Sequence, residues 1–245
     1  MTDRPLPSLY ELPALQAVTG PALRPGGLEL TRRALSLCDL PPGARVVDIG
    51  CGTGVTAHYL RRHCRLEAFG LDRSPGMLGR ARQQDPGLPL IQGEAARLPF
   101  RDGRLSAVMC ECVLSLVEDA DAAFREFHRV LAPGGLLLLA DLYARAPDHG
   151  GGLASLPVTC CLKGAKSRDD LAGRMQRSGF GLLAWEDHSE ALKRLAAQLV
   201  FACGSLQAIW GATGAGASVN AYPAVAHRAR PGYFLAVARK EGTSR

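Results

Sequence analysis

Apolar residues in this chain come in short runs, and each run is closed by an acid or a glycine. Arg45-Val46-Val47-Asp48-Ile49 leads into Gly50-Cys51-Gly52-Thr53-Gly54. Leu66-Glu67-Ala68-Phe69-Gly70-Leu71 ends in Asp72, Leu90-Ile91-Gln92 gives way to Gly93-Glu94-Ala95, and the run Leu105 to Cys110 meets Glu111. Runs of this length suit buried strands. Between them lie segments with helical spacing: Val55 to His63, Met77 to Gln84 after an N-cap Ser74 and Pro75, and Asp119 to Val130. The alternation of strand and helix from Arg45 to Tyr143 predicts right-handed crossovers and a parallel sheet. Leu136 to Ala140 is uniformly apolar, as a central strand should be, and follows a break at Pro133-Gly134-Gly135. Further on, a helix over Arg168 to Arg177 stops at Ser178-Gly179. A sixth strand over Phe180 to Glu186, a helix over Ser189 to Ala202 and a last strand over Gly232 to Ala238 complete the pattern.

The remaining segments are less regular. Residues 1–27 read as an irregular arm rich in Pro, Leu and Gly, followed by a helix over Thr31 to Leu40. Residues 1–44 are therefore expected to form an arm covering a site, and residues 45–245 the domain that carries it. The stretch Ala144 to Lys166, which holds Gly150-Gly151-Gly152, is an irregular insertion of the length used for lids and binding loops. Gly204 to Tyr222 is rich in small residues. There is no internal repeat.

The strand ends carry the chemistry. Gly50, Gly52 and Gly54 form G-x-G-x-G, while the dinucleotide pattern G-x-G-x-x-G would need glycine where Val55 stands. No lysine follows, so this is not the phosphate loop of the nucleotide hydrolases. A glycine triplet alone is equally an ordinary strand-to-helix turn. Asp72, 18 residues past Gly54, changes that balance, because an acid at about that distance can accept hydrogen bonds from ribose hydroxyls. Four consecutive strands then present polar loops at their C-terminal ends, where open α/β sheets bind ligands.

Composition adds limits. The chain has 245 residues, enough for one α/β domain with a modest cap, and 47% apolar residues, which suits a globular core. The net charge of +6 comes from scattered arginines without interleaved aromatics, so nucleic-acid binding is not indicated. The N-terminus has Asp3, Arg4, Pro5 and Pro7 in place of a leader's apolar core. The uncharged stretch nearest to a membrane span, within Leu195 to Ala226, is interrupted by Gln, Gly and Asn. The expectation is a cytoplasmic protein with reduced thiols.

Val47-Asp48-Ile49-Gly50-Cys51-Gly52-Thr53-Gly54, Gly70-Leu71-Asp72-Arg73-Ser74, Gly93-Glu94-Ala95 with Leu98-Pro99-Phe100, and Leu131-Ala132-Pro133-Gly134-Gly135 together resemble the class I S-adenosylmethionine-dependent methyltransferases. The likeness is to the small-molecule group that includes the ubiquinone and menaquinone C-methyltransferases. It implies a doubly wound, mostly parallel seven-stranded Rossmann-like sheet with helices on both faces, the cofactor S-adenosyl-L-methionine, and a small-molecule methyl acceptor. The roles it implies are these. Asp48 orients the glycine loop, Gly50 to Gly54 packs against the methionine part of the cofactor, Asp72 and its neighbour Arg73 meet the ribose, and Met77 covers the adenine. Gly93, Glu94 and Ala95 address the adenine ring, and the backbone at Cys110 and Glu111 faces the ammonium. In this chain Glu94 stands where the family more often has Asp, and Ser106 where it has Asp at the start of the fourth strand.

The eight cysteines include no C-x-x-C, so a zinc ribbon is not indicated. Cys38 and Cys64 fall on helices, and Cys51 fits the glycine loop as a small residue. Cys160-Cys161-Leu162-Lys163-Gly164-Ala165, followed by a helix and Ser178-Gly179-Phe180, is similar to part of the arsenite methyltransferases. That likeness implies Cys161 and Cys203 as ligands of trivalent arsenic, with Cys38, Cys51 or Cys64 as the third, and thiolates do suit a soft centre. Ordinary core packing is the simpler reading of both cysteines. His188, after the sixth strand, and His149, in the irregular stretch, are general-base candidates, although alignment of the acceptor can suffice without one. Three rivals stand beside methyl transfer to a small molecule: an arsenite methyltransferase, a non-catalytic module that binds S-adenosylmethionine, and a macromolecular methyltransferase.

Overall fold

Alternate residues of the central strands fill two separate cores. On one face lie Val47, Ile49, Val108, Cys110, Leu137, Leu139, Phe234 and Ala236; on the other lie Val46, Ala107, Met109, Leu136, Leu138, Tyr233, Leu235 and Val237. Strands apolar on both faces demand helices on both, and the chain supplies them. In the computed structural model, which describes residues 10, 13–20, 22–146, 153, 160–205, 208 and 228–242, the helices are α1 (Pro13–Thr19), α2 (Gly27–Ser36), α3 (Val55–Arg62), α4 (Pro75–Gln84), α5 (Ala120–Val130), α6 (Arg168–Arg177) and α7 (Ser189–Cys203). The strands are β1 (Arg45–Ile49), β2 (Glu67–Asp72), β3 (Leu90–Gln92), β4 (Leu105–Glu111), β5 (Leu131–Ala144), β6 (Lys166–Ser167), β7 (Phe180–Asp187) and β8 (Pro231–Lys240). Phe124 and Phe127 of α5 and Leu171 and Met175 of α6 cover the first core; Leu30 and Ala34 of α2, Leu60 of α3 and Ala191 of α7 cover the second.

The sheet order is β3-β2-β1-β4-β5-β8-β7, parallel except for the pairs that β8 makes with β5 and β7. The chain winds outward from β1 to β3, then returns to β4 beside β1. That reversal opens a crevice at the C-terminal ends of β1 and β4, where such sheets bind ligands. An α5 helix capped by Asp119, whose carboxylate accepts from Ala122 N at 2.8 Å, leads straight into β5. Among the described residues no helix is long and apolar enough to cross a membrane.

The expectation of seven strands is corrected to eight. β6 pairs with the end of β5, inside the stretch the sequence left irregular; two residues are too few to carry a period. The arm is not wholly irregular, since α1 lies in it. The next helix begins at Gly27 rather than Thr31 and ends at Ser36, because Leu30, Thr31 and Ala34 form its buried face and Gly26 enters it in the left-handed region. The expected break at Pro133-Gly134-Gly135 is a bend inside β5, made possible by φ of 75° at Gly134. His149, Gly150-Gly151-Gly152 and most of Gly204 to Tyr222 lie outside the described residues.

Candidate active site

The glycine loop begins where β1 ends. Gly50, Gly52 and Gly54 all have positive φ, of 66°, 55° and 78°, so the alternate glycines are a backbone requirement. Gly50 is also required sterically, because a Cβ there would run into Cγ2 of Val113. Cys51 lies buried, and a Cβ on Gly70 would meet its Sγ, so the thiol packs against β2 as a small residue should. Burial pushes the Cys51 thiol far above its ordinary range, with Asp48 and Asp72 adding to it, so it stays protonated.

Asp72, at the tip of β2, ties two loops together. One carboxylate oxygen accepts from Gly52 N at 2.8 Å and the other from Ser74 N at 2.8 Å. A carboxylate has about four acceptor positions, so both oxygens keep capacity for a ligand. Ser74 caps α4 by accepting from Met77 N at 3.3 Å, with Pro75 in the first turn, as the sequence pattern predicts. The cap brings Met77 under the loop, where its Cε would touch a Cβ on Gly52.

These loops enclose a cavity of about 460 Å3 at the switch point of the sheet. Gly50, Cys51, Gly52, Thr53, Asp72, Arg73, Met77, Gly93, Glu94, Ala95 and Glu111 line it. Three residues expected at the cofactor do not. Gly54 is buried behind the loop, Cys110 belongs to the core beneath it, and Asp48 is buried within the β1 end. Burial, and then the charge of Glu111, raises the Asp48 carboxyl well above the ordinary carboxylate range, only partly opposed by Arg24. Asp48 thus lies beneath the loop, and its Oδ2 has no hydrogen-bond partner among the described residues.

The opposite wall centres on Arg24, which the sequence did not single out. Arg24, in the arm, lies in the cavity lining with its side chain 9% exposed. It meets Glu111 Oε2 at 2.7 Å and donates to Thr31 Oγ1 and Thr56 Oγ1 at 2.6 and 3.0 Å. Thr31 and Thr56 donate in turn to Glu111. Burial alone would lower the guanidinium's pKa, but Glu111 first, together with Tyr233, Asp48 and Cys112, raises it above its ordinary value. Tyr10 of the arm also lines the cavity; its hydroxyl donates to Cys161 Sγ at 2.8 Å and accepts from Cys161 N at 3.0 Å. Thr31 sits fully buried behind Glu111.

Cys161, Cys112 and Asp141 form a buried cluster whose sulfur and oxygen atoms lie within 4.8 Å of one another. Cys112 follows β4 with φ of 58°, a left-handed value that is uncommon and costly outside glycine. Burial first, then the neighbouring Cys112 thiol, pushes the Cys161 thiol up. Burial raises Asp141 to about 6, even though it accepts from Ser115 N and Oγ and from Leu142 N. Cys112 lines the main cavity, whereas Asp141 lines a second one of about 320 Å3 that also includes Ser115, Lys166, Arg174 and Phe234. The two cavities share Val117, Glu118 and Asp119.

Cys203 belongs neither to this cluster nor to either cavity lining, so Cys112 takes the place that the sequence gave it beside Cys161. His188 is also absent from both linings; its Nε2 lies 2.9 Å from Glu186, which Arg33 holds as well. No spacing signal pointed to Arg24 or Cys112, because each acts through partners remote in sequence.

Comparison with known proteins agrees with this architecture. A family model described as a methyltransferase domain matches residues 47–139, from β1 into β5. A demethylmenaquinone methyltransferase of Beutenbergia cavernae is 36% identical over 125 residues, which are 51% of this chain and 52% of that protein. An arsenite methyltransferase of Halobacterium salinarum is 28% identical over 149 residues, 58% of this chain and 38% of that protein. Methyltransferase GfsG of Streptomyces halstedii is 27% identical over 89% of this chain and 82% of its own length. The first curated relatives are matched over about a quarter to a half of their length. Among solved structures, the cyclase SpnF superposes with a TM-score of 0.76 at 24% identity, over 94% of this chain and 92% of that one. Haemonchus contortus phosphoethanolamine N-methyltransferase 2, in complex with S-adenosyl-L-methionine, gives 0.74 at 18% identity, over 98% and 59%. Identities this low speak for the fold alone. Residues 47–139, which carry the glycine loop, the acid at the tip of β2 and much of the switch-point cavity, are thus similar to a methyltransferase domain.

Proposed function

We propose that this protein transfers a methyl group from S-adenosylmethionine to a small-molecule acceptor. The observation that carries the reading is the convergence of the Gly50–Gly52 backbone, Asp72, Glu94 and Glu111 on one cavity at the sheet's switch point. The residues fit the cofactor in kind: glycine backbone that approaches closely, spare acceptor capacity on Asp72 for vicinal hydroxyls, buried Met77 for an aromatic base, and acids at Glu94 and Glu111 for amino groups.

When bound, the cofactor supplies an electrophilic sulfonium methyl, and the acceptor's lone pair displaces S-adenosylhomocysteine. The protein's own contribution is then alignment and exclusion of water, which can supply much of the acceleration. We assign no general base, since His188 faces Glu186 rather than a cavity. The adjoining cavity at Ser115, Asp141 and Phe234 is the place for the acceptor, because it meets the first cavity at Val117 to Asp119. In this reading the arm of residues 1–44 covers the site, supported by Tyr10 and Arg24 in the cavity wall. Residues 45–245 form the catalytic domain in a cytoplasmic protein, supported by eight free cysteines.

The test is incubation of the pure protein with methyl-labelled cofactor and fractionated cell extract. Label in a low-mass fraction with matching S-adenosylhomocysteine is expected. Tight cofactor binding with no S-adenosylhomocysteine from any fraction would leave a binding module, and label in RNA or protein would make the acceptor macromolecular.

A second reading, arsenite as acceptor, is favoured by Cys161 and Cys112 lying together with Cys112 in the cavity wall. It predicts that Cys161→Ser and Cys112→Ser each abolish arsenite turnover while cofactor affinity stays within about threefold, a change of under 1 kcal/mol. Undiminished turnover in either variant removes this reading.

A further inference from the structure

Three separate segments bring two thiols and a carboxyl group into one buried place. Cys112 follows β4, Asp141 lies in β5, and Cys161 sits in the turn before β6. Their sulfur and oxygen atoms lie within 4.8 Å of one another. A tetrahedral zinc ion with bonds to sulfur of about 2.3 Å holds two thiolates about 3.8 Å apart. Small side-chain movements therefore suffice to turn this cluster into a coordination site.

Each donor already has a hydrogen-bonding neighbour. The Tyr10 hydroxyl donates to Cys161 Sγ at 2.8 Å, and the Tyr233 hydroxyl lies 3.5 Å from Cys112 Sγ. Asp141 accepts from Ser115 N, Ser115 Oγ and Leu142 N. Outer partners of this kind orient metal ligands and steady their charge. The Cys161 turn is also fixed in place, since a Cβ on Gly164 would overlap Ser115 O. Cys112 lines the main cavity and Asp141 the adjoining one, so an ion has a way in from either.

We propose that Cys112, Cys161 and Asp141 form a binding site for one zinc ion. Two thiolates select a soft or borderline cation, and the carboxylate selects one that also accepts oxygen, as zinc does. The donor set differs from the three thiols that the arsenite methyltransferase likeness implies, because among the described residues no third cysteine belongs to the cluster. On binding, Zn2+ takes the place of the two thiol protons, which pass to solvent. With the carboxylate ionised, the net charge of the buried site is unchanged. Three protein donors leave the fourth tetrahedral position for water. The ion joins β5, the end of β4 and the Cys161 turn, whichever acceptor the protein methylates.

The test is titration of the full chain, stripped by chelator and kept reduced by a phosphine, with Co2+ as a coloured stand-in and then with Zn2+. Wild type should take up one Co2+ with thiolate-to-cobalt charge-transfer absorption and tetrahedral d–d bands, and Zn2+ should displace it. Cys112→Ser, Cys161→Ser and Asp141→Asn should each weaken binding at least about 100-fold, the upper end of what losing an outer partner costs. Cys203→Ser, whose sulfur lies outside the cluster, should bind as wild type does. Absence of the charge-transfer band in wild type, or undiminished binding in Cys112→Ser or Asp141→Asn, overturns the site. Trivalent arsenic bound by wild type and by Asp141→Asn, with no uptake of Co2+ or Zn2+, overturns it in favour of arsenite. Should the variants fail to fold, the wild-type band decides, since its intensity must report two thiolates.

Discussion

The two walls of the cavity are built by different means. The wall formed by the ends of β1 and β2 is mostly backbone, with three left-handed glycines, a capped helix start and one acid that holds two amides. The facing wall is made of side chains, brought by the arm, the end of β4 and the segment before β6, and joined by Arg24 to Glu111 and Tyr10 to Cys161. The first is encoded in a few neighbouring residues. The second exists only after distant segments have packed. Backbone walls recognise what many ligands share, while side-chain walls can be altered residue by residue.

If the facing wall is held by its charges, removing one should cost most. Glu111→Ala leaves Arg24 buried and unpaired, and should destabilise the fold by about 3–5 kcal/mol. The double variant Arg24→Met, Glu111→Leu should recover most of that loss, read by denaturant unfolding. Equal stability of wild type and Glu111→Ala would mean that the two walls are tied by packing alone.

A pH series sharpens the same contrast. Burial raises Asp141 from 3.8 to about 6, so between those values the folded state holds a proton that the unfolded chain has lost. Its contribution therefore falls as pH rises through the window. Asp141→Asn removes that dependence, and the stability difference should shift in the variant's favour by up to about 3 kcal/mol from pH 4 to 7. Parallel curves for the two proteins would break the assignment. On the backbone wall, Gly50→Ala should cost about 2 kcal/mol, through its left-handed φ and the approach of Val113. A thermal melt unchanged by this substitution would show that the loop can relax around a side chain.

This division also explains what the sequence disclosed. The strand runs, the Ser74-Pro75 helix start, the glycine spacing and the acids at positions 72 and 94 are local patterns, and local patterns can be read without a structure. The two-residue β6 has no period to detect. α2 starts early because its buried face is set by the sheet it packs on, not by a capping residue. Arg24 looked like one more scattered arginine, since Glu111 and Thr56 are far along the chain. The resemblance in the C-terminal half points to Cys203 as a companion for Cys161, whereas the neighbour that packing supplies is Cys112 at the tip of β4.

The antiparallel insertion of β8 has a consequence for how the chain is made. Its residues 231–240 are synthesised after β1 to β7, yet they pair with both β5 and β7 and contribute to both cores. Among the described residues β7 has no other strand beside it, and its Leu182 and Leu183 are exposed. On the ribosome, then, the glycine-loop half can assemble early, while β7 waits as an open, sticky edge for the last strand to arrive.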